Sequence, residues 1–257
     1  MLAHKCLACV QREFQRLGGK ILTCRAENIQ PGEKSVRVMT RSGTGAVQSL
    51  EFRRIAVCAG PWSSDLLPKC AHLLSTQSIP VTYWRELTRP HRHSVAAGCP
   101  VIFNARMANV YCVPSFEYPG LVKVLVHSGP ETTPDRRDCV DWTSAVEHVR
   151  SYVKKHLPLL DSSGPAIREQ CMYTVTPDSK PLIDLYHHTV IVATGFSGSG
   201  FKHSPASGRM VAALMTGKQA GLPDGFNLHK YRISRFEEDF SLKDVRRRVD
   251  PTGRSKL

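Results

Sequence analysis

The sequence predicts a mixed α/β (α+β) fold in which two segments of helix and buried strand flank a segment of antiparallel sheet. Residues 54–60 and 189–195 are short apolar runs that end in glycine, a pattern typical of strands buried on both faces. Residues 66–165 instead alternate short strand patterns with turn residues such as Tyr118-Pro119-Gly120, which indicates an antiparallel sheet.

The first segment opens with a predicted helix over residues 4–17. Leu7, Val10, Phe14 and Leu17 recur at helical spacing on one face, and Gly18-Gly19 ends the helix. Strands are expected next over residues 20–24, 35–40, 47–52 and 54–60.

The middle segment predicts strands and one helix. Val146, Val149 and Val153 share the inward face of a helix over residues 142–156, which stops before Pro158. Four short strands are expected before it, over residues 81–85, 101–104, 110–113 and 121–127.

The last segment predicts a strand, a glycine-rich loop and a helix. The loop covers residues 196–201, and the helix covers residues 205–216, with Pro205 at its start and Gly217 at its end. This order can hold an anion, because glycines let backbone N–H groups approach a ligand at the positive end of a helix. Taken alone, the loop is equally compatible with a turn containing several positive φ angles.

Composition argues against several functional classes. The net charge is +13, from 35 basic and 22 acidic residues, but the basic residues are spread along the chain without an aromatic-rich cluster, so no nucleic-acid partner is expected. No run approaches the roughly 20 apolar residues that span a bilayer, and the start shows no secretory signal. Cys6 and Cys9 lack a second pair at zinc spacing, so we interpret them as buried structural thiols and predict no metal site.

Several sequence blocks in a fixed order resemble one enzyme family. They are Ala59-Gly60-Pro61-Trp62, Tyr83-Trp84-Arg85-Glu86, Glu117-Tyr118-Pro119-Gly120-Leu121-x-Lys123-Val124 with His127, Cys171-Met172-Tyr173-Thr174-x-Thr176-Pro177-Asp178, and Gly195-Phe196-Ser197-Gly198-x-Gly200-Phe201-Lys202. Together they resemble the monomeric sarcosine oxidase and peroxisomal sarcosine (L-pipecolate) oxidase family of FAD-dependent amine oxidoreductases. The resemblance covers nearly the whole chain, up to about Phe236.

The resemblance implies an FAD-binding dinucleotide fold combined with an antiparallel-sheet substrate domain. Residues 1–65 and 166–240 would belong to the FAD-binding domain, residues 66–165 to the substrate domain, and residues 241–257 to a tail. The family's Gly-x-Gly-x-x-Gly turn after a first strand does not occur in residues 1–60. We therefore expect an incomplete dinucleotide fold, the C-terminal two-thirds of such an enzyme, without the family arginine that helps to bind the substrate carboxylate.

The resemblance also implies how the flavin is held. Cys171 matches the cysteine that carries FAD covalently through a thioether, and a deprotonated exposed thiol is a competent nucleophile. The loop places further cofactor-binding positions at Gly195, Gly198, Gly200 and Phe201. Ser199 departs from the family, which often has histidine there, and this change would alter the polarity of the pocket.

Four further residues match family positions in the active site. Lys123 would promote the reaction with molecular oxygen, because a fixed positive charge stabilises the negative charge that develops on oxygen. His127 would line the substrate pocket, and the even spacing places it on the same strand face as Lys123. Tyr173 and Lys202 would bind the substrate carboxylate.

The implied reaction is oxidation of a secondary amino acid (sarcosine or L-pipecolate) to an imine, with release of hydrogen peroxide and without a metal. The expected partners are the amino acid, molecular oxygen and, through a terminal Ser255-Lys256-Leu257, the peroxisomal import receptor. The expected location is the peroxisome, and the expected state is a monomer. The alternatives are an inactive remnant without flavin, a fructosyl-amino-acid oxidase-like enzyme or an amine dehydrogenase.

Overall fold

The computed structural model describes residues 2–89, 91–105, 109–114, 116–218 and 222–238. The chain forms two compact units. The first unit contains Met1–Thr23, Ser78–Pro130 and Arg136–Cys171, and the second contains Cys24–Gln77, Glu131–Asp135 and Met172–Leu257. The mixed helix-and-sheet class predicted from the sequence is confirmed, whereas the domain boundaries stay a prediction.

Helices and strands alternate along the chain. The helices are α1 (Ala3–Arg16), α2 (Ser63–Leu66), α3 (Thr143–His156), α4 (Gly200–Thr216) and α5 (Arg235–Glu238), and 3-10 turns cover Gly60–Trp62, Pro68–Leu73, Pro134–Cys139 and Leu228–Tyr231. The strands are β1 (Cys24–Pro31), β2 (Val36–Ser42), β3 (Val47–Phe52), β4 (Ile55–Val57), β5 (Ser75–Arg85), β6 (Ile102–Asn104), β7 (Val110–Pro114), β8 (Leu121–Val126), β9 (Ile167–Val175), β10 (Leu182–His187) and β11 (Val190–Thr194).

A five-stranded sheet with the order β6-β7-β8-β5-β9 organises the first unit. The β6–β7, β7–β8 and β8–β5 pairs are antiparallel, as the turn-rich middle segment predicts. Helix α3 packs on one face of this sheet, where its predicted inward residues Val146, Val149 and Val153 are buried. The core on that face consists of Trp84, Val110, Cys112, Val122, Val124, Val126, Val149, Val153, Leu157 and Leu160.

The opposite face of the sheet carries a different set of side chains. Residues directly paired in an antiparallel ladder project to the same side. Tyr83 pairs with Lys123, which also pairs with Val113, and Tyr111 pairs with Phe103. Alternation along each strand places these residues on the face opposite α3, which we call the Lys123 face.

The second unit holds two three-stranded sheets, β1-β2-β3 and β10-β11-β4. Strand β11 runs parallel to β4 and antiparallel to β10, and all of its residues are buried, as its continuous apolar run predicts. Val190 and Val192 pack into one core cluster, whereas Ala193 packs with Met210 of α4 in another. Strand β4 forms an edge of this sheet as far as the described residues extend.

Helix α4 begins five residues before the start that the sequence predicts. Pro205 lies inside it and not at its first turn. Proline has no N–H to donate to the carbonyl four residues earlier. That carbonyl, on Phe201, accepts a hydrogen bond from the Ser204 hydroxyl at 2.9 Å instead, so the helix continues through the proline.

The chain before residue 32 departs from the sequence predictions in two ways. The strand expected over residues 20–24 is not formed; the chain instead forms β1, which begins at Cys24. Ile29 is the only half-buried residue of β1, so this strand has no apolar alternation. The hydrogen-bond ladder to β2 stabilises it. The expected burial of Cys6 and Cys9 is also wrong. Helix α1 forms as predicted, but none of its residues is buried, and both thiols are exposed.

Candidate active site

Lys123 and Tyr83 meet on the Lys123 face of the sheet. They are directly paired across β8 and β5, and the Lys123 Nζ atom lies 5.6 Å from the centroid of the Tyr83 ring. An ammonium within about 6 Å of an aromatic centroid is attracted by the electrons of the ring face. The Tyr83 residue is 3% exposed, so its ring is packed within the unit and presents one face to the lysine.

Glu169 of β9 joins this pair through two tyrosine hydroxyls. The Tyr83 hydroxyl donates to Glu169 Oε2 at 3.1 Å, and the Tyr118 hydroxyl donates to Oε1 at 2.7 Å. The two rings meet edge to face, with centroids 4.9 Å apart. Burial, followed by the negative charge of Glu169, raises the pKa of Tyr83, so its hydroxyl remains a donor at neutral pH. The hydrogen bond to Glu169 also raises the pKa of Tyr118.

His127 follows β8 and lies among aromatic rings. Its ring centroid is 6.1 Å from that of Phe103 and 5.9 Å from that of Tyr111, both in edge-to-face geometry. Phe103 and Tyr111 project from the Lys123 face. The structure therefore places His127 on the same side of the sheet as Lys123.

Cys171 lies two residues after Glu169 on β9, and its side chain is exposed. Side chains two apart on a strand share a face, and Glu169 reaches the Tyr83 hydroxyl. The intervening Gln170 differs, because its amide Nε2 donates to the Ser78 hydroxyl at 2.6 Å. Cys171 therefore projects from the same face of the sheet as Lys123 and His127.

The glycine-rich loop of the second unit is shaped by left-handed backbone conformations. The φ angles are +66° at Gly195, +50° at Ser197 and +82° at Gly198. A Cβ atom added at Gly195 would clash with Thr176 Cγ2, so a larger residue does not fit there. The Ser197 amide donates to the Thr174 carbonyl at 2.9 Å and fixes the loop against β9. Several positive φ angles in this loop also agree with the alternative considered from the sequence, in which the glycines serve only to form a turn.

Helix α4 starts at Gly200, directly after this loop. Ser199 at its N-cap makes no capping hydrogen bond, because its hydroxyl donates backwards to the Phe196 carbonyl at 2.8 Å. The N–H groups of the first turn have no partner within the helix and create partial positive charge. Phe201 and Lys202 in this turn are both exposed. The turn thus has the chemistry to hold a carboxylate or another anionic oxygen, and Lys202 adds a full charge.

The predicted site residues fall into two groups. Lys123, His127 and Cys171 belong to the first unit, where they project from the same face of one sheet. Tyr173 is half-buried in β9 and belongs to the second unit, as do the glycine-rich loop and Lys202. In the first unit, the exposed Cys171 thiol is accessible to a flavin ring. In the second unit, the first turn of α4 can hold an anionic oxygen.

A recess of about 630 Å³ lies in the second unit and contains none of the predicted site residues. Ala59 and Trp62 of the Ala-Gly-Pro-Trp block contribute to it, and the Trp62 indole Nε1 donates to Asp135 Oδ1 at 3.2 Å. Its remaining lining residues are Arg25, Ala26, Glu27, Asp65 and Leu66. The Ala-Gly-Pro-Trp block is part of the family pattern in the sequence, but that pattern did not predict a cavity at this place.

Neither a metal site nor a membrane-spanning helix occurs within the described ranges. No group of three or more His, Cys, Asp or Glu side chains there is arranged to hold a metal ion. Every helix in the same ranges is too short or too polar to cross a bilayer.

Glu169 is the functional candidate that sequence reasoning missed. Its position two residues before Cys171 was the available signal, because in a strand that spacing places its carboxylate on the side of the expected flavin attachment. The strand itself, β9, was not predicted from the sequence. Its partners could not be found from the sequence, since Tyr83 and Tyr118 are 86 and 51 residues away.

Sequence comparison finds relatives named for sarcosine oxidation. The peroxisomal sarcosine oxidase of Mus musculus is 33% identical over 245 residues, covering 92% of this chain and 60% of that protein. The peroxisomal sarcosine oxidase of Homo sapiens is 34% identical over 244 residues, with coverages of 91% and 60%. The monomeric sarcosine oxidase of Bacillus sp. (strain B-0618) is 28% identical, with coverages of 85% and 56%. The chain thus spans about 60% of the length of the first two relatives.

Structural comparison finds the same fold in solved oxidases. Fructosamine oxidase from Aspergillus fumigatus (Amadoriase II) aligns with a TM-score of 0.66 at 20% identity, covering 86% of this chain and 54% of that one. NikD, described as an unusual amino acid oxidase of nikkomycin biosynthesis, aligns with a TM-score of 0.66 at 17% identity, with coverages of 88% and 58%. The sequence profile described as FAD dependent oxidoreductase (DAO) matches residues 3–214. The chain belongs to the FAD dependent oxidoreductase family.

Proposed function

We propose that the chain serves the FAD-dependent oxidation of a secondary amino acid, such as sarcosine or L-pipecolate, to an imine with release of hydrogen peroxide. The identity of 33–34% to two proteins named peroxisomal sarcosine oxidase carries this proposal. The projection of Cys171, Lys123 and His127 from one sheet face supports it, because these residues match the active-site positions of that family.

Each residue has a proposed task. The chemistry that FAD would supply when bound is removal of a hydride equivalent from the carbon next to the substrate nitrogen and transfer of the two electrons to molecular oxygen, which with two protons becomes hydrogen peroxide. The Cys171 sulfur would hold the flavin covalently. The Lys123 ammonium would stabilise negative charge that develops on oxygen, as fixed charges do in enzymes. His127 would line the substrate pocket beside Phe103 and Tyr111.

The second unit would bind the substrate carboxylate. The exposed Lys202 ammonium and the uncapped first turn of α4 supply positive charge and N–H donors, and the Tyr173 hydroxyl would add a hydrogen bond. Gly195, Gly198 and Gly200 would contact the cofactor, because close backbone approach needs residues without a Cβ at the turn. Phe201 is assigned to the cofactor by its match to the family pattern alone.

The working context follows from the same relatives. We propose a monomer that uses an amino acid and molecular oxygen and works in the peroxisome, which the names of the mouse and human proteins support. The import receptor would read Ser255-Lys256-Leu257, which lies outside the described residues. A fructosyl-amino-acid substrate is supported less, because the fructosamine oxidases are about 20% identical and share the fold alone.

Substrate turnover in flavin-loaded protein tests the function. Oxygen consumption and hydrogen peroxide should appear with sarcosine or L-pipecolate and remain at background with a fructosyl amino acid. Lys123→Met should slow reoxidation of the reduced flavin strongly and leave its reduction by substrate nearly unchanged, measured by stopped flow with and without oxygen. Lys155→Met, a change on α3 across the sheet, is the matched control.

Three results would contradict the proposal. Preference for the fructosyl substrate would move the chain to the fructosyl-amino-acid oxidases. Substrate-driven reduction without oxygen consumption would make it an amine dehydrogenase. Folded protein that takes up no flavin at all would make it an inactive remnant.

A further inference from the structure

A carboxylate that the expected active site does not use binds the tyrosine whose ring contacts Lys123. Glu169 is exposed along part of its side chain, yet both of its oxygens are engaged by tyrosine hydroxyls, at 3.1 Å from Tyr83 and 2.7 Å from Tyr118. Hydrogen bonds to an ionised carboxylate are shorter and stronger than neutral ones. The single carboxylate of Glu169 therefore accepts hydrogen bonds from both tyrosine hydroxyls.

The arrangement limits how the Tyr83 ring can move. Its hydroxyl is anchored by Glu169, and its ring lies edge to face with Tyr118 at 4.9 Å. The backbone of Tyr83 belongs to β5, directly opposite Lys123 on β8. With both ends of the tyrosine fixed, the ring face toward Lys123 is fixed as well.

Lys123 has a long and flexible stem, so its ammonium has many possible positions. The 5.6 Å distance from Nζ to the Tyr83 centroid selects one of them. An ion placed over the ring gains the attraction between a cation and aromatic electrons, and this attraction needs the ring to stay in place.

We propose that Glu169 is a positioning residue: through its hydrogen bonds to Tyr83 and Tyr118 it fixes the Tyr83 ring and thereby holds the Lys123 ammonium at one point above the sheet. The catalytic use of this fixed ammonium rests on the proposed function, because oxygen activation needs a positive charge at a defined place. The geometry itself concerns only residues of the first unit. It can be tested in the chain without flavin.

The test uses the ring current of Tyr83 as a reporter. Reductive ¹³C-dimethylation keeps the charge of each lysine, and Lys123→Arg identifies the methyl signal of Lys123 in a proton–carbon NMR spectrum. In the wild-type chain that signal should be displaced upfield of the exposed lysines. Tyr83→Leu, which removes the ring, should abolish the displacement.

The Glu169 variants separate positioning from folding. Glu169→Ala should remove at least half of the displacement, whereas Glu169→Gln, whose amide oxygen still accepts a hydrogen bond, should retain most of it. Tyr83→Phe keeps the ring and loses the anchor, so it should resemble Glu169→Ala. Glu147→Gln on α3, a solvent-exposed glutamate on the other face, should change nothing. Circular dichroism checks that each variant is folded.

An unchanged Lys123 signal in folded Glu169→Ala would overturn the proposal, and if that variant unfolds, an unchanged signal in Tyr83→Phe would do so. Flavin-loaded protein gives the functional arm, where Glu169→Ala should slow flavin reoxidation about tenfold and leave flavin reduction within twofold. If Lys123→Met has no effect on reoxidation while the NMR displacement depends on Glu169, the oxygen-activating role fails and the positioning role stands.

Discussion

The guanidinium of Arg235 holds the carboxylate of Asp178 through two hydrogen bonds, from Nε to Oδ2 at 3.0 Å and from Nη2 to Oδ1 at 3.1 Å. Arg235 opens α5, and Asp178 belongs to the turn after β9. Arg235 Nη2 also donates to the Lys180 carbonyl at 3.0 Å. The pair therefore fastens the last described helix to the Thr-Pro-Asp block of the family pattern.

Asp178→Asn should destabilise the chain in a pH-dependent manner. Burial alone would raise the pKa of Asp178, but hydrogen bonds from Arg235 and from the Lys180 amide hold it below its ordinary value. A lowered folded-state pKa contributes stability above the unfolded pKa of about 3.9 that is lost as the pH falls through the folded value.

The expected loss at pH 7 is about 1.5–3 kcal/mol in the free energy of unfolding, measured by urea titration. Repeating the titrations at lower pH should show the wild type and the variant converging below about pH 3.9. Asp224→Asn, at an exposed aspartate, is the control. A difference that stays constant from pH 7 to pH 3 would argue against the ion pair as its cause.

Ile191→Ala should cost about 2–5 kcal/mol of stability, because it leaves a cavity in the central strand of the β10-β11-β4 sheet. Ile191 is 0% exposed, whereas its cross-strand partner Leu185 is 46% exposed. Leu185→Ala should therefore cost much less in the same denaturation experiment. Equal losses would mean that β11 is not the buried centre of this sheet.

Cys171→Ser should abolish covalent flavin attachment in flavin-loaded protein, because a serine hydroxyl is a far weaker nucleophile than a thiolate. After acid denaturation, flavin fluorescence should remain with the wild-type polypeptide and separate from the variant. Cys139→Ser removes another exposed thiol of the first unit, and this variant should keep its covalently bound flavin. Fluorescence that stays with the Cys171→Ser chain would assign the attachment elsewhere.

Lys202→Ala should weaken binding of a carboxylate inhibitor. One charge-assisted hydrogen bond contributes about 1.5–3 kcal/mol, which corresponds to a rise in Kd of roughly tenfold to hundredfold. Lys218→Ala, just beyond the opposite end of α4, serves as the control. An inhibitor Kd that is the same in wild type and Lys202→Ala would remove Lys202 from the binding site.

Residues 241–257, fused after a fluorescent protein so that Leu257 is terminal, should direct it to peroxisomes. A terminal Ser-Lys-Leu is read by the import receptor as an address. The signal should coincide with a peroxisomal marker in imaged cells and become diffuse when Leu257 is deleted. Diffuse fluorescence with the intact tail, or punctate fluorescence after the deletion, would reject the proposed address.

Elements with a strong internal pattern could be predicted from the sequence. Helix α3 has its valines at helical spacing, and β11 has an uninterrupted apolar run, so local side chains alone reveal what they bury. Strand β1 escaped prediction because its backbone ladder to β2, and not its side chains, makes it a strand. The start of α4 was misplaced because Ser204 compensates for Pro205, a compensation that residue preferences do not reveal.

The candidate site also has one part that the sequence could predict and one part that it could not. Spacing along one strand was enough to expect Lys123 and His127 on a common side. The contact of Lys123 with Tyr83 and the two bonds to Glu169 depend on which strands become neighbours. Strand order in a sheet is a property of the whole chain, so no local pattern contains it.

The proline inside α4 has a consequence for how the helix opens. Pro205 removes one rung from the backbone ladder at the point where the turn of residues 200–204 joins the rest of the helix. That turn can therefore fray at a lower free energy than the turns after it, and its amide hydrogens should exchange with solvent sooner. An anion that engages Lys202 would slow this exchange, so the helix terminus itself would report occupancy of the site.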